Sequence, residues 1–328
     1  DTNHLIRGII LNRTSGTFFE TIRPEIEKSF PVEVLGYFPN QKEILLESRH
    51  LGLKCPEEVE KMAELLAKTA DMLEKTVDID RLFAIAEGAS ELSDDNTLEN
   101  GSSGDQKVAL RETEKKPVIA VSRDEAFCFY YEDNLKALQG AGAEIVFFSP
   151  LHDNGVPKEA DGLLLLGGYP ELYAKELSEN KPMLADIRKK AKSAMPIVAE
   201  CGGFMYLHRT MEDMEHRIYE MAGVVPGTCF YTGKLVRFGY IELEEKKANF
   251  LPENVNIKGH EFHYFDSTAN GDECVALKPV SEKKYDCIFD EKSCFVGFPH
   301  LYYPSAPQFA ENFVKKAKNY ADRKNQKL

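Results

Sequence analysis

Short apolar runs alternate with segments of helical period along most of this chain. Near the N-terminus IRGIILNR (6–13) reads as a strand, 17–29 as a helix, VEVLGYFP (32–39) as a second strand with its turn, and 57–76 as a strongly periodic helix. Strand, helix, strand, helix is the signature of an α/β unit, here too short for a complete doubly wound domain. ASELSDDNTLENGSSGDQ (89–106) breaks the pattern: it is polar, rich in Gly and Ser, and nearly free of large apolar residues. Such a composition cannot bury enough surface to offset the cost of ordering, so 86–116 reads as a flexible linker.

The alternation then resumes. Val118–Val121 reads as a strand, 131–141 as a helix, EIVFFS (144–149) as a strand, DGLLLLGG (161–168) as a strand ending in glycines, 171–194 as a helix, and Pro196–Ala199 as a strand. Continuous apolar runs of this kind suit central strands of a parallel sheet covered on both faces. Beyond residue 225 the segments VRFGYIEL (236–243), HEFHYF (260–265) and CFVGFPH (294–300) are aromatic-rich and alternating, which predicts mixed β structure. The expected class is α/β, and no internal repeat is visible.

At 328 residues and 37.1 kDa the chain is long enough for two domains, each with its own core. A net charge of −13, spread along the chain, argues against a nucleic-acid partner, which needs a basic face. No apolar run approaches the ~18–20 residues of a membrane helix, and no signal peptide is visible. The seven cysteines form no CxxC pair, so a zinc ribbon or disulfide framework is not expected, and a reducing cytoplasm fits. The first residue is Asp1 rather than Met, which suggests a chain that begins inside a longer protein.

The most informative stretch is MPIVAECGGFMYLHR (195–209), where a buried strand stops at Glu200-Cys201-Gly202-Gly203 and helical period follows. Small-x-nucleophile-x-small is the nucleophile-elbow pattern: a turn this sharp demands small neighbours and pushes the central side chain out over the sheet edge. Sites in parallel α/β sheets form at such carboxyl ends of strands. A helix starting behind the sulfur is expected to favour the thiolate. The bland alternative is a buried structural thiol. A cysteine nucleophile needs a base and an oxyanion stabiliser. His300, at the end of CFVGFPH, is the candidate base, and Gly167 and Gly168, at the end of the 161–168 run, offer bare backbone N–H groups. Taken singly, His300 reads first as a structural histidine and the glycines as an ordinary helix-entry turn.

These residues also carry a resemblance. RDEAFCFYYEDNL (123–135), GGYPELYA (167–174), ECGGFMYL (200–207), RFGY (237–240) and GHEFHYF (259–265) resemble the glutamine amidotransferase domain of the cobyrinic acid a,c-diamide synthase family. That family includes nickel-sirohydrochlorin and hydrogenobyrinic acid a,c-diamide synthases. GIILNR (8–13), LGYFP (35–39) and RHLGL (49–53) match the end of its ATP-dependent synthetase domain. The resemblance implies a class I glutamine amidotransferase-like domain with a parallel-rich sheet over 117–322, followed by a tail at 323–328. Residues 1–85 would be the C-terminal remnant of a P-loop, dethiobiotin synthetase-like α/β domain. It further implies that Cys201 attacks the side-chain amide of glutamine, that backbone N–H groups of Gly168 and Gly202 hold the oxyanion, and that His300 moves the proton. The ammonia would amidate a tetrapyrrole carboxylate activated with ATP and Mg2+, in an enzyme whose members are often homodimers.

Two departures stand out. Tyr302 occupies the position two residues after the histidine where related glutaminase domains carry a carboxylate or a second histidine, so a phenol or a backbone carbonyl is left to orient His300. No G-x-x-x-x-G-K-[ST] occurs anywhere in the chain, which points to an N-terminal truncation or to a variant retaining glutaminase chemistry only. The remaining candidates each carry two readings. Asn12 and Arg13 are either adenine contacts or a turn cap; Arg49 and His50 are either phosphate or substrate contacts or the start of a helix. Arg237 suits a carboxylate or simply the surface. Glu261 and His263 share one strand face and either touch substrate or line an interdomain face. No metal-ligand spacing is present. The competing functions are a decayed, non-catalytic or regulatory amidotransferase-like protein and a different cysteine hydrolase such as a peptidase.

Overall fold

The computed structural model describes residues 5–41, 61–90, 115–289 and 293–326, and the chain divides into two compact units, Asp1–Ala109 and Leu110–Leu328. In the first unit β1 (Gly8–Asn12) pairs in parallel with β2 (Glu33–Phe38), joined through α1 (Gly16–Ser29). Ser15 starts α1 because its side chain accepts the Phe18 amide, filling one of the orphan donors at a helix start. α2 (Met62–Thr76) and α3 (Ile79–Glu87) follow, and Asp78 caps α3 by accepting the Arg81 amide. The expected strand–helix–strand–helix order is present. α3 went unread in the sequence and runs past the expected start of the linker at 86, while most of the expected linker, 91–114, lies outside the described residues. The core of this unit is small, centred on Phe19, Val34, Leu35 and Val77.

The second unit is built on a five-stranded, wholly parallel sheet. Its elements are β3 (Val118–Ser122), α4 (Glu132–Gly140), β4 (Glu144–Phe148), β5 (Gly162–Leu165), α5 (Ala174–Glu179), α6 (Lys181–Lys192), β6 (Ile197–Glu200) and α7 (Gly202–Leu207). β7 (His208–Glu212), β8 (Ile218–Glu220), β9 (Val225–Tyr231), β10 (Arg237–Glu245), β11 (Asn256–His263), β12 (Phe265–Ser267), β13 (Cys274–Leu277), β14 (Lys284–Cys287), β15 (Cys294–Gly297), β16 (His300–Leu301) and α8 (Pro307–Asn325) complete it. The parallel sheet runs β15-β6-β5-β3-β4, and β3, β5, β6 and β15 are buried throughout, which is why their sequences read as unbroken apolar runs. The region beyond 225 is mixed β, as its alternation suggested: it forms an antiparallel sheet β14-β13-β10-β11-β16, joins β7 and β8 in a smaller sheet β12-β9-β7-β8, and returns β15 to the parallel sheet.

Two expectations need correction. The helix expected over 171–194 is three pieces: a 3-10 turn at Pro170–Tyr173, then α5, then α6, which Asn180 caps by accepting the Met183 amide and Pro182 enters at the first turn. The tail expected from 323 is helical as far as Asn325, because α8 continues unbroken. Among the described residues no helix is long and apolar enough to cross a membrane.

Candidate active site

Cys201 stands where β6 ends and α7 begins, with backbone angles φ 45° and ψ −104°. An L-residue side chain is strained in this region, at a typical cost of ~1–3 kcal/mol, and such strain persists only where the surroundings enforce it. Here they do. The Cys201 amide donates to the Gly297 carbonyl on neighbouring β15 (2.8 Å), and its carbonyl accepts the Met205 amide of α7 (2.9 Å). The small neighbours have steric reasons. A Cβ on Gly202 would lie 2.9 Å from Pro170 and 3.0 Å from the backbone nitrogen of Gly168, so the Gly168 nitrogen lies close against the cysteine turn.

His300 arrives from a different sheet. β16 pairs with β11, setting His300 across from His260, and the two imidazoles stack with centroids 4.9 Å apart. The Phe129 ring meets His300 edge-on at 4.7 Å, and the Tyr131 phenol pairs with His260 Nδ1 at 3.1 Å. Gly167 makes room for the ring: a Cβ there would come within 2.3 Å of His300 Cε1. Gly167, Gly168, Cys201, Gly202 and His300, five separate candidates in the sequence, therefore converge on one strand-end corner.

The electrostatics of this corner differ from expectation. Cys201 is not held as a thiolate. Burial, reinforced by the nearby Glu171, Glu200 and Glu261 carboxyls, pushes its thiol up to about 12, and the hydrogen bond from the Gly202 amide offsets only part of this. The nucleophile-elbow pattern puts a helix behind the sulfur, but α7 is only six residues long, and burial is the leading influence on the thiol. His300 is driven the other way, down to about 3, first by burial and then by His260 and His263. At neutral pH both groups rest uncharged.

One residue outside the sequence candidates lies inside the corner. Glu200, the last residue of β6, is buried, and its Oε2 sits 3.9 Å from His300 Nδ1. Its Oε1 accepts from the Tyr303 hydroxyl at 3.2 Å, and the Leu301 amide also donates to the carboxyl. Burial nevertheless pushes Glu200 up to about 8. The available signal was its adjacency to the nucleophile candidate, which places it on the strand end facing β15 and β16. Tyr302, which the sequence puts in the orienter's place, instead turns outward, 39% exposed, its hydroxyl directed at Asp133.

Arg237, Glu261 and His263 form a second buried cluster between β10 and β11. Glu261 accepts a short hydrogen bond from the Tyr285 hydroxyl and lies 3.5 Å from Arg237 Nη1, 3.8 Å from Lys278 Nζ and 3.7 Å from His263 Nε2. Arg237 stacks on the Tyr285 ring at 4.0 Å, and His263 donates through Nδ1 to the Phe265 carbonyl and stacks on Phe298. Burial pushes the Glu261 carboxyl up, yet His263, Tyr285 and Arg237 together pull it below its ordinary range. In the first unit the Asn12 carboxamide accepts the amide of Arg13, which has φ 53° and points to solvent, the geometry of a closed turn. Arg49 and His50 lie outside the described residues.

In this parallel α/β sheet an interior strand, β6, ends in a strained cysteine, and a histidine from a distant segment lies at the same corner. Residues 118–305 match the family model of the CobB/CobQ-like glutamine amidotransferase domain, and the chain belongs to that family. It is similar to a cobyrinate a,c-diamide synthase from Caldanaerobacter subterraneus subsp. tengcongensis, 35% identical over 321 residues that span 96% of this chain and 68% of that protein. A cobyrinate a,c-diamide synthase from Dehalococcoides mccartyi (strain ATCC BAA-2266) is 35% identical over 324 residues, again 96% of this chain and 68% of the relative. Among solved structures, PurLQS from Thermotoga maritima aligns with a TM-score of 0.43 and 17% identity, over 63% of this chain and 100% of that one.

Proposed function

We propose that this chain hydrolyses glutamine at Cys201 to supply ammonia. The observation that carries the reading is the strained backbone of Cys201 at the carboxyl end of β6, a conformation with a steric cost that the surrounding hydrogen bonds enforce. Since thiol and imidazole both rest neutral, the thiolate forms only as the proton passes from Cys201 to His300. The sulfur then adds to the side-chain carbonyl carbon of glutamine, and the oxyanion is received by the backbone N–H groups of Gly168 and Gly202. His300 returns the proton to the departing nitrogen, ammonia leaves, and water cleaves the thioester to glutamate and restores the thiol. An oxyanion donor of this kind contributes about 3–4 kcal/mol of transition-state stabilisation.

The ammonia would serve the activity for which the relatives are named, amidation of a tetrapyrrole a,c-dicarboxylate. ATP and Mg2+ belong to that larger reaction. The residues present do not fit a nucleotide–metal site: the sequence holds no phosphate-cradling P-loop, and among the described residues no group of three or more His, Cys, Asp and Glu could hold a metal. No step of the glutamine hydrolysis runs through either. Residues 1–85 are proposed as the closing part of the synthetase domain, and 117–322 as the glutaminase.

The test is to incubate the chain with glutamine and follow glutamate, then to repeat with Cys201→Ala and His300→Ala. Release from the parent and loss in both variants supports the reading. The neutral resting state of the pair favours a second reading, an amidotransferase-like protein without catalysis, and absence of release from the parent would select it.

A further inference from the structure

Within the glutaminase reading, the histidine needs a group to set its ring, and Tyr302 points away from it. The His300 ring has one nitrogen with a visible problem. Nδ1 is buried and has no hydrogen-bond partner, in a ring held on every other side by His260, Phe129 and the bare Cα of Gly167. The polar atom facing it is Glu200 Oε2 at 3.9 Å, and Glu200 itself is buried and fixed at its other oxygen by Tyr303. Tyr303 is anchored in turn, since its amide donates to Asn134 Oδ1 (2.8 Å) while Asn134 Nδ2 donates to the Leu301 carbonyl (2.7 Å). A carboxyl so held, aimed at an orphaned nitrogen, has a defined direction in which to form a bond, and closing by about 1 Å brings it to hydrogen-bond distance.

We propose that Glu200, the residue immediately before the nucleophile, is the positioning residue of His300, and that its ionisation selects the imidazole tautomer. When Glu200 is protonated, its O–H donates to Nδ1, the ring proton sits on Nε2, and the base has no lone pair to offer the thiol. When Glu200 is ionised, Nδ1–H donates to Oε2 and Nε2 can accept the Cys201 proton. The imidazolium that follows is then stabilised by the carboxylate, the logic by which a buried acid orients a catalytic histidine.

The titratable groups that act on this pair are Tyr303, Tyr131 and Cys201 around Glu200, and His260 and His263 around His300, with Glu171 and Glu261 acting on the thiol. Because Glu200 is raised to about 8, glutamine turnover climbs with pH through that region as the carboxylate forms.

The experiment combines a tautomer readout with kinetics. Histidine-selective 15N NMR on the full chain, with His300 assigned by its loss in His300→Gln, follows the ring nitrogens across pH 6–9. The proposal predicts a shift from Nε2–H to Nδ1–H with rising pH in the parent and no shift in Glu200→Gln. Glu200→Gln also loses ~10²-fold or more in kcat with KM within about threefold, and loses the rising pH limb. Tyr303→Phe, which keeps Glu200 but removes a bond that favours its charged form, moves the limb to higher pH and keeps the proposal testable should Glu200→Gln not fold. A His300 tautomer that is the same at every pH, or a Glu200→Gln variant with parental kcat and pH profile, overturns it. A parent that releases no glutamate while its tautomer still follows Glu200 retains this positioning role and removes the glutaminase reading alone.

Discussion

The two buried polar clusters of the second unit treat charge in opposite ways. Around Glu261 the protein brings a guanidinium, an ammonium, a phenol and an imidazole to one carboxylate, and the carboxylate is held ionised despite complete burial. Around His300 it withholds compensation. The imidazole is kept neutral, and the neighbouring thiol and Glu200 carboxyl are kept protonated. A buried charge is tolerated when paired, and an unpaired group gives up its charge instead. The compensated cluster is thus a fixed electrostatic element. The uncompensated one has protons able to change places, which is what acid–base chemistry requires.

The contrast breaks hardest at the sulfur. Cys201→Ala should lower glutamate release by at least about 10³-fold while leaving the urea midpoint close to the parent's, since a small side chain is lost from a strained position. Glu261→Gln should do the reverse. It leaves Arg237 and Lys278 half-buried without their anion, and a loss of about 3 kcal/mol in urea unfolding is expected, in the range for breaking a buried pair. Gly167→Ala probes the fit between the clusters' scaffolds. Its Cβ would overlap the His300 ring, and because small displacements of a catalytic group are costly, kcat should fall by ~10²-fold with folding retained.

Stability against pH sharpens the same comparison by sign. Glu261 is depressed in the fold, so its contribution is fully present above the unfolded value near 4.5 and is lost as pH falls through the folded value. Glu200 is raised from 4.5 to about 8, so the folded state holds its proton longer and stability declines as pH rises between those values. Urea titrations at several pH values should therefore show the acid-side loss reduced in Glu261→Gln and the alkaline-side decline reduced in Glu200→Gln. The smallest effect belongs to Tyr302→Phe. With its hydroxyl turned toward Asp133 at the surface, kcat should stay within about twofold of the parent.

Much of this architecture was legible in the sequence because parallel-sheet strands are apolar on both faces. Val118–Val121, the 161–168 run and Pro196–Ala199 announced their positions without help from tertiary context. The ECGG corner was legible for a steric reason, since the turn forces small residues on both sides of the cysteine. What was not legible depended on residues distant in sequence. Asn180 breaks a helix that periodicity alone would continue. The charge state of Cys201 follows first from its burial and then from Glu171, Glu200 and Glu261, which no local pattern encodes. Sequence spacing points two residues downstream for the orienter of His300, whereas the fold places a carboxyl from the next-door sheet there.

The central claim is that Cys201 forms a covalent bond to the carboxamide carbon of glutamine with His300 as its proton acceptor. The most direct measurement is the intact mass of the chain after exposure to a glutamine analogue bearing a diazoketone in place of the amide, followed by peptide mapping. A single adduct on Cys201, protected by glutamine and strongly slowed in His300→Gln, is the predicted result. No adduct, or an adduct on another of the seven cysteines with Cys201 unmodified, would contradict it.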